Sequence, residues 1–275
     1  MGIQKLYLVC QIEKIAILNS FARFGMLIKN TYPNNRNGVH QSMKFNLLSK
    51  SGETQRIDFL PVHIINAGYT GRDQKAVQAH IDELKEMGVP APDKTPVYFV
   101  KFPDKLTQEE HFEVLDETDH SGEAEFALLF DGDEIYVGVG SDHTDRKLET
   151  VDIPKAKQIY FNTISRDLWK LSDVFDHWDK IVIRSWIEVD GKRTLFQEAP
   201  LTAMLDAKDI AERAKNLLCD PTETQGLVVY SGTVASLFQA EYSPSFETEL
   251  DDPVLGRKLH NKYTMACVKS WYKGN

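Results

Sequence analysis

A β-rich α+β fold, a curled roll of mixed sheet with a few short helices, is the architecture this sequence predicts. Three observations lead there. Apolar or alternating runs of strand-forming residues occupy most of the chain, helical periodicity is confined to three stretches, and strands and helices do not alternate regularly. The last point argues against a doubly wound parallel sheet. With 275 residues the chain is long enough for a sizeable core. The hydrophobic share of 42% and the charged share of 27% are those of an ordinary globular protein.

The first 42 residues stand apart. They hold five basic residues and one acidic residue, a net of +4, so the other 233 carry −13 against a formal total of −9. No apolar run there reaches the eighteen or so residues of a membrane span, and the pattern of a secretion signal is missing. Tyr32-Pro-Asn-Asn-Arg-Asn-Gly38 is turn-rich, like a linker. We read 1–42 as a loose or non-native extension, with a targeting presequence as the other reading.

From Met43 the pattern is clean. Met43–Leu48 alternates briefly and Gln55–Ile65 continues as strand. Ala67–Gln74 is a glycine-bearing loop, and a helix runs from about Asp73, its N-cap, to Met87, closed by Gly88 and Pro90. This organisation predicts an N-terminal strand and loop–helix segment over 43–95, then a roll over 96–275. Pro96–Pro103 is a short strand between prolines. Further helices are expected near Ser165–His177 and Ala207–Leu217, and strands at Lys180–Val189, Thr194–Gln197 and Gly226–Val234. Val189-Asp-Gly-Lys192 is a hairpin turn.

The most telling stretch is His120–Phe130 followed by Asp131–Asp142, which reads as strand, tight turn, strand. Glu123 and Glu125 are two apart and so share a strand face. A turn centred on Gly132-Asp133 sets Asp142 opposite Glu123, with Cβ atoms roughly 5 Å apart. A turn centred on Asp131-Gly132 would pair Glu123 with Gly140 instead. Three carboxylates gathered at one hairpin end repel unless a cation or a set of donors lies among them. All-oxygen donors suit Mg²⁺ or a similar hard cation, not zinc. The plain alternative is a solvated Glu-x-Glu on a wet strand face.

Other residues fit a chemical reading. His80 and Glu83 are three apart on one helix face, where a carboxylate holds an imidazole's tautomer and raises its basicity. Lys155, Lys157 and Lys101 could hold a substrate oxyanion, or be surface charges. Ser231-Gly-Thr233, at the end of an apolar strand, offers N–H groups and hydroxyls to an anion. The net charge argues against nucleic acid and against anionic membranes as partners. Cys10, Cys219 and Cys267 form neither a metal spacing nor a disulfide framework, which suits a reducing cytoplasm. No Gly-x-Ser-x-Gly elbow, phosphate-binding loop or Cys-x-x-Cys is present.

Taken in order, six segments resemble the fumarylacetoacetate hydrolase superfamily: Ala67-Gly-Tyr69 with His80, Pro96-Val-Tyr-Phe-Val-Lys101, Glu123-Ala-Glu-Phe126, Val139-Gly-Ser-Asp142, Val189-Asp-Gly191 and Leu227–Val234. Gly68-Tyr-Thr-Gly-Arg-Asp73 and Gly140-Ser-Asp-His-Thr-Asp-Arg146 look like signatures of an uncharacterised branch. The resemblance implies a β-roll and, as a rule, a homodimer. It also implies Mg²⁺ or Mn²⁺ on Glu123, Glu125 and Asp142, and a small carboxylic acid, a 2-oxo or diketo acid, as substrate. On that basis His80 with Glu83 would activate water, and Lys157, ahead of Lys155, would hold developing negative charge. Tyr69, Arg72, Lys101 and Thr233 would contact the substrate. C–C bond hydrolysis is the first expectation. Dehydration, isomerisation or decarboxylation of a sugar-derived acid is the second, and metal or acid binding without turnover the third. Gly68 stands where the family has Asn, His80 lies further past Tyr69 than usual, and the short gap to Asp142 leaves Asp145 as a rival ligand.

Overall fold

The hairpin around Gly132 forms the middle of the structure. The computed structural model describes residues 41–86, 91–115, 119–239 and 242–273, without the side chains of His80 and Leu84. Expectations for 1–40, including Cys10, and for Gly88 and Pro90 lie outside the described residues.

In chain order the strands β1 (Met43–Leu48), β2 (Thr54–Phe59) and β3 (His63–Gly68) lead into helix α1 (Gln74–Glu86). Next come β4 (Val97–Lys101), β5 (Leu106–Thr107), β6 (His111–Val114), β7 (His120–Ser121), β8 (Ala124–Asp131), β9 (Glu134–Asp142) and β10 (Thr144–Asp145). Two short helices, α2 (Arg146–Glu149) and α3 (Ile153–Ile159), precede β11 (Asn162–Ile164), β12 (Asp167–Lys170) and α4 (Leu171–Val174). The chain then forms β13 (Val182–Val189), β14 (Lys192–Pro200), α5 (Ala207–Lys215), β15 (Leu227–Tyr230), β16 (Ser245–Asp252) and β17 (Arg257–Cys267).

A ten-stranded mixed sheet runs β2-β1-β12-β9-β8-β15-β3-β4, with β11 pairing β9 and β5. A five-stranded sheet runs β14-β13-β16-β17-β6, and β10 pairs β7. The pairs β1–β12, β5–β11, β3–β15 and β6–β17 are parallel, whereas the two hairpins β8–β9 and β13–β14 are antiparallel. The architecture is therefore the mixed β-roll with few helices that the sequence predicts.

Both faces of β8–β9 are covered. Ala124, Phe126, Leu128 and Phe130 point into a core shared with Phe246, Leu250, Leu259 and Tyr263 of the five-stranded sheet. Ala127 and Leu129 point the other way, into a second core with Phe45, Leu47, Phe59 and Ile64. Double coverage explains why this run is almost continuously apolar. Losing Phe126, which also meets Trp178 edge-on at 5.0 Å, would cost about 3–5 kcal/mol.

Several local expectations hold. Asp73 caps α1, accepting from the N–H of Lys75 at 2.9 Å. Asp190 (φ 51°) and Gly191 (φ 73°) make the predicted primed turn between β13 and β14. Three do not. Pro61 divides Gln55–Ile65 into β2 and β3, which lie at different places in the sheet. The helix expected over 165–177 is instead strand β12 and then short helical turns, because β12 is claimed by β1 on one side and β9 on the other. β16 and β17 were not expected. The inward row of β17 includes Asn261, whose amide donates to Thr163 Oγ1 at 2.8 Å and interrupts the apolar alternation.

Candidate metal centre

The hairpin settles its own register. Gly132 has φ 64°, a left-handed conformation that suits glycine at the first turn position, and Asp131 pairs with Glu134, Ala124 with Ser141 and Glu125 with Gly140. Continued by one step, this register brings Asp142 opposite Glu123, and the Asp142 N–H donates to the Glu123 carbonyl at 3.2 Å. Glu123, Glu125 and Asp142 thus meet at one end of the hairpin, all buried, each offering an oxygen within 4.8 Å of the others. Asp145 is used elsewhere. It caps α2, accepting from the Leu148 N–H at 2.8 Å.

Three cationic groups press on the carboxylates. Lys157 Nζ, on α3, lies 2.9 Å from Glu123 Oε2, 2.8 Å from Asp142 Oδ2 and 3.0 Å from Thr144 Oγ1. Lys101, wholly buried on β4, donates to Asp142 Oδ1 at 2.9 Å and to Asn162 Oδ1 at 2.6 Å. Arg146 Nη1 lies 3.0 Å from Glu123 Oε1 and 2.9 Å from Glu149, while its Nε donates to Ser121 Oγ. Burial opposes ionisation of Asp142, yet Lys101 and Lys157 outweigh it and hold the carboxyl at about 2. Burial is likewise overcome at Glu123 by Arg146 and Lys157, which keep it below its ordinary value.

Glu125 is different. Burial first, then the charges of Asp142 and Glu123, push it well above the usual carboxylate range, although the Gly232 N–H donates to its Oε2 at 2.8 Å. Gly232 has φ 81°, and any Cβ there would lie 2.6 Å from Thr70 Oγ1. At Lys157 burial is outweighed by Asp142, Glu123 and Glu149, so its pKa rises and it is an ammonium at neutral pH.

The donor set fits a hard cation. All three groups are carboxylates, burial and then the charges of Asp142 and Glu123 raise the Glu125 pKa, and Asp142 Oδ2 makes only a charge contact with Lys157, with no hydrogen bond among the described residues. With Glu125 ionised, as a metal ligand would be, and Glu149 counted, four carboxylates face three basic groups, a formal −1. A divalent ion would make that +1, the complement of one substrate carboxylate.

The other expected site residues divide. Tyr69, half-buried with φ 55°, faces the cluster: burial first and then Glu149 raise its phenol, while Lys157 pulls it back. Thr233 donates to the Ala124 carbonyl at 3.0 Å and accepts from Gln197, so the Ser-Gly-Thr segment reaches the cluster through Gly232 rather than this hydroxyl. Arg72 does not join it. Its guanidinium is engaged by Asp179 at 2.9 Å and by the Met204 carbonyl. Lys155 is exposed and paired with Asp152. Glu83 is exposed on α1, and the His80 side chain lies outside the described residues.

Sequence reasoning passed over Arg146, Asn162, Asn66 and His143. Two of these belong to the Gly140–Arg146 signature, which was the available signal. His143 lies on the opposite face of the hairpin from Asp142. It bonds His120 Nδ1 through Nε2 and Tyr263 OH through Nδ1, both at 2.9 Å, and Tyr263 meets Ser141 Oγ at 3.0 Å. Ser141 Oγ in turn accepts from the Glu123 N–H at 3.0 Å.

Comparison with solved structures places the fold. Cg1458 with inhibitor shares 18% identity over 82% of this chain and 89% of its own, with a TM-score of 0.55. The apo form of 2-keto-3-deoxy-D-arabinonate dehydratase shares 14% identity over 75% of this chain and 73% of its own, TM-score 0.55. Its complex with magnesium and 2,5-dioxopentanoate aligns with a TM-score of 0.53 at the same identity and coverage. No curated protein matches the sequence significantly. The family described as protein of unknown function DUF2848 matches residues 67–263, which span the hairpin, the lysines and the Gly232 loop. This chain belongs to the DUF2848 family, an uncharacterised branch with the fumarylacetoacetate hydrolase fold.

Proposed function

We infer that the chain is a metal-dependent enzyme acting on a small 2-oxo acid, with Mg²⁺ or Mn²⁺ held by Glu123, Glu125 and Asp142. One observation carries this: three buried carboxylates converge with a lysine ammonium lodged between two of them. A bound ion would supply Lewis acidity toward the oxo and carboxylate oxygens of the substrate. With Glu123 and Asp142 turned to the ion, the Lys157 ammonium can turn to the substrate and hold negative charge as it develops. Its raised pKa keeps it an ammonium, which suits an electrostatic clamp and not a base. Lys101, fixed by Asp142 and Asn162, keeps that carboxylate ionised and oriented. Tyr69, close enough to feel the charges of Glu149 and Lys157, would contact the substrate.

Within that class we favour elimination from a sugar-derived oxo acid. It needs the ion and the lysine, and a dehydratase with this fold has been crystallised with magnesium and 2,5-dioxopentanoate. C–C bond hydrolysis is the second reading, favoured by His80 and Glu83 three apart on α1; unchanged turnover in His80→Ala would remove it. A homodimer in the cytoplasm completes the proposal. Among the described residues no helix is long and apolar enough to cross a membrane, and Cys219 and Cys267 form no disulfide. Sedimentation would test the dimer.

The deciding experiment is thermal melting of metal-stripped protein with and without Mg²⁺, then with oxalate. At 100 times Kd the ion should stabilise by about 2.7 kcal/mol, with a further rise on adding oxalate. No shift from either would end the metal reading.

A further inference from the structure

A chain of amide contacts extends from the cluster to a buried side-chain nitrogen on β3. Lys101 Nζ lies 2.6 Å from an atom of the Asn162 carboxamide, and since an ammonium only donates, that atom is the oxygen. The Asn162 nitrogen is then the donor to Asn66, 2.9 Å away, so Asn66 presents its oxygen there. The Asn66 nitrogen is left facing elsewhere. Asn66 is 1% exposed, and its Nδ2 has no hydrogen-bond partner among the described residues. A buried, unmatched amide donor costs about 1–3 kcal/mol, which a purely structural asparagine would have no reason to bear.

Its place in the sheet says what it faces. Asn66 pairs with Tyr230, and Tyr230 pairs with Ala127, two residues along β8 from Glu125. Residues in register share a face and residues two apart on a strand share a face. Asn66 therefore stands on the same face as Glu125, and Lys101 and Asn162 tie it to Asp142.

We propose that Asn66 is a substrate-positioning residue, whose unused N–H donates to an oxygen of the oxo acid held at the metal centre. This rests on the metal-dependent reading above. The ammonium of Lys101 polarises both amides in the chain and makes the terminal N–H a better donor than an isolated asparagine would offer.

Calorimetric titration of the full chain with Mg²⁺, and of the Mg²⁺-loaded chain with oxalate, tests it. Asn66→Ala should bind Mg²⁺ within about two-fold of the parent and oxalate about ten-fold or more weakly, the usual effect of losing a hydrogen bond to a charged partner. Equal oxalate affinity would overturn the proposal. So would a matching fall in Mg²⁺ affinity, since Asn66 would then serve the carboxylates. Should the variant fail to fold, the Asn66 side-chain amide resonances of the unsubstituted protein decide: they shift when oxalate joins Mg²⁺, or the proposal is wrong. Absence of Mg²⁺ binding by the unsubstituted protein would refute the metal reading itself, a failure visible without any substitution.

Discussion

Glu125 and Lys157 have the most to reveal residue by residue, because each is stabilised in one protonation state by its neighbours. Glu125 has a raised pKa in the metal-free fold. Its contribution is therefore full below its ordinary 4.5 and is lost as pH climbs through the raised value. Asp142 behaves in the opposite sense. Its contribution is present above 3.8 and disappears as pH falls toward about 2. Urea unfolding of stripped protein across pH should show the first loss in the parent and not in Glu125→Gln, which should also lose Mg²⁺ binding. Lys157→Met removes the ammonium that bridges Glu123 and Asp142. It should destabilise the stripped protein by about 3 kcal/mol, yet bind Mg²⁺ more tightly, since ammonium and ion compete for the same oxygens. Weaker Mg²⁺ binding in that variant would mean the ammonium does not occupy the ion's position.

The β8–β9 hairpin carries the site at the scale of an element, and its turn can be separated from its chemistry. Gly132 is exposed, and a Cβ added there would meet nothing within 4 Å, so only its φ of 64° constrains it. Gly132→Val should cost about 1–2 kcal/mol and Gly132→Asn less, because asparagine tolerates the left-handed region. Neither should change Mg²⁺ affinity, since the ladder from Ala124 to Asp131 keeps the register; a changed affinity would show that the turn, not the ladder, sets it. This hairpin was legible in advance because strand alternation and turn chemistry are local. The partners of Lys101 and Arg72, both expected from the sequence to contact substrate, were not. As sequence, both are single basic residues beside strands or loops. Burial against Asp142 makes one part of the site, and Asp179 draws the other away from it.

Across the molecule, the seam between the two sheets runs directly behind the carboxylates. Tyr263, from the five-stranded sheet, bonds Ser141 of the larger one and His143, just past the end of β9. Tyr263→Phe strips a partner from two buried polar groups and should lower stability by about 1–3 kcal/mol, measured by denaturant unfolding. Mg²⁺ affinity should hold, because Lys101, Lys157 and Arg146 position the ligands from the other face. A fall in affinity would mean the seam orients Glu123 through Ser141.

The β-rich fold class, the hairpin, the capped helix and a carboxylate cluster built on Glu123 and Glu125, with Asp142 or Asp145 as its third member, were readable from the sequence, because alternation, turn residues and caps act over a few positions. Tertiary structure alone decided which basic groups meet the carboxylates, that Asp145 caps a helix instead of joining them, and that 167–170 pairs as strand. Those outcomes depend on segments far apart in sequence, such as Lys101 with Asp142 or Asn66 with Asn162, and on how burial weighs each charge once they meet. Charge pairing and desolvation act through space, so residue spacing along the chain does not encode them.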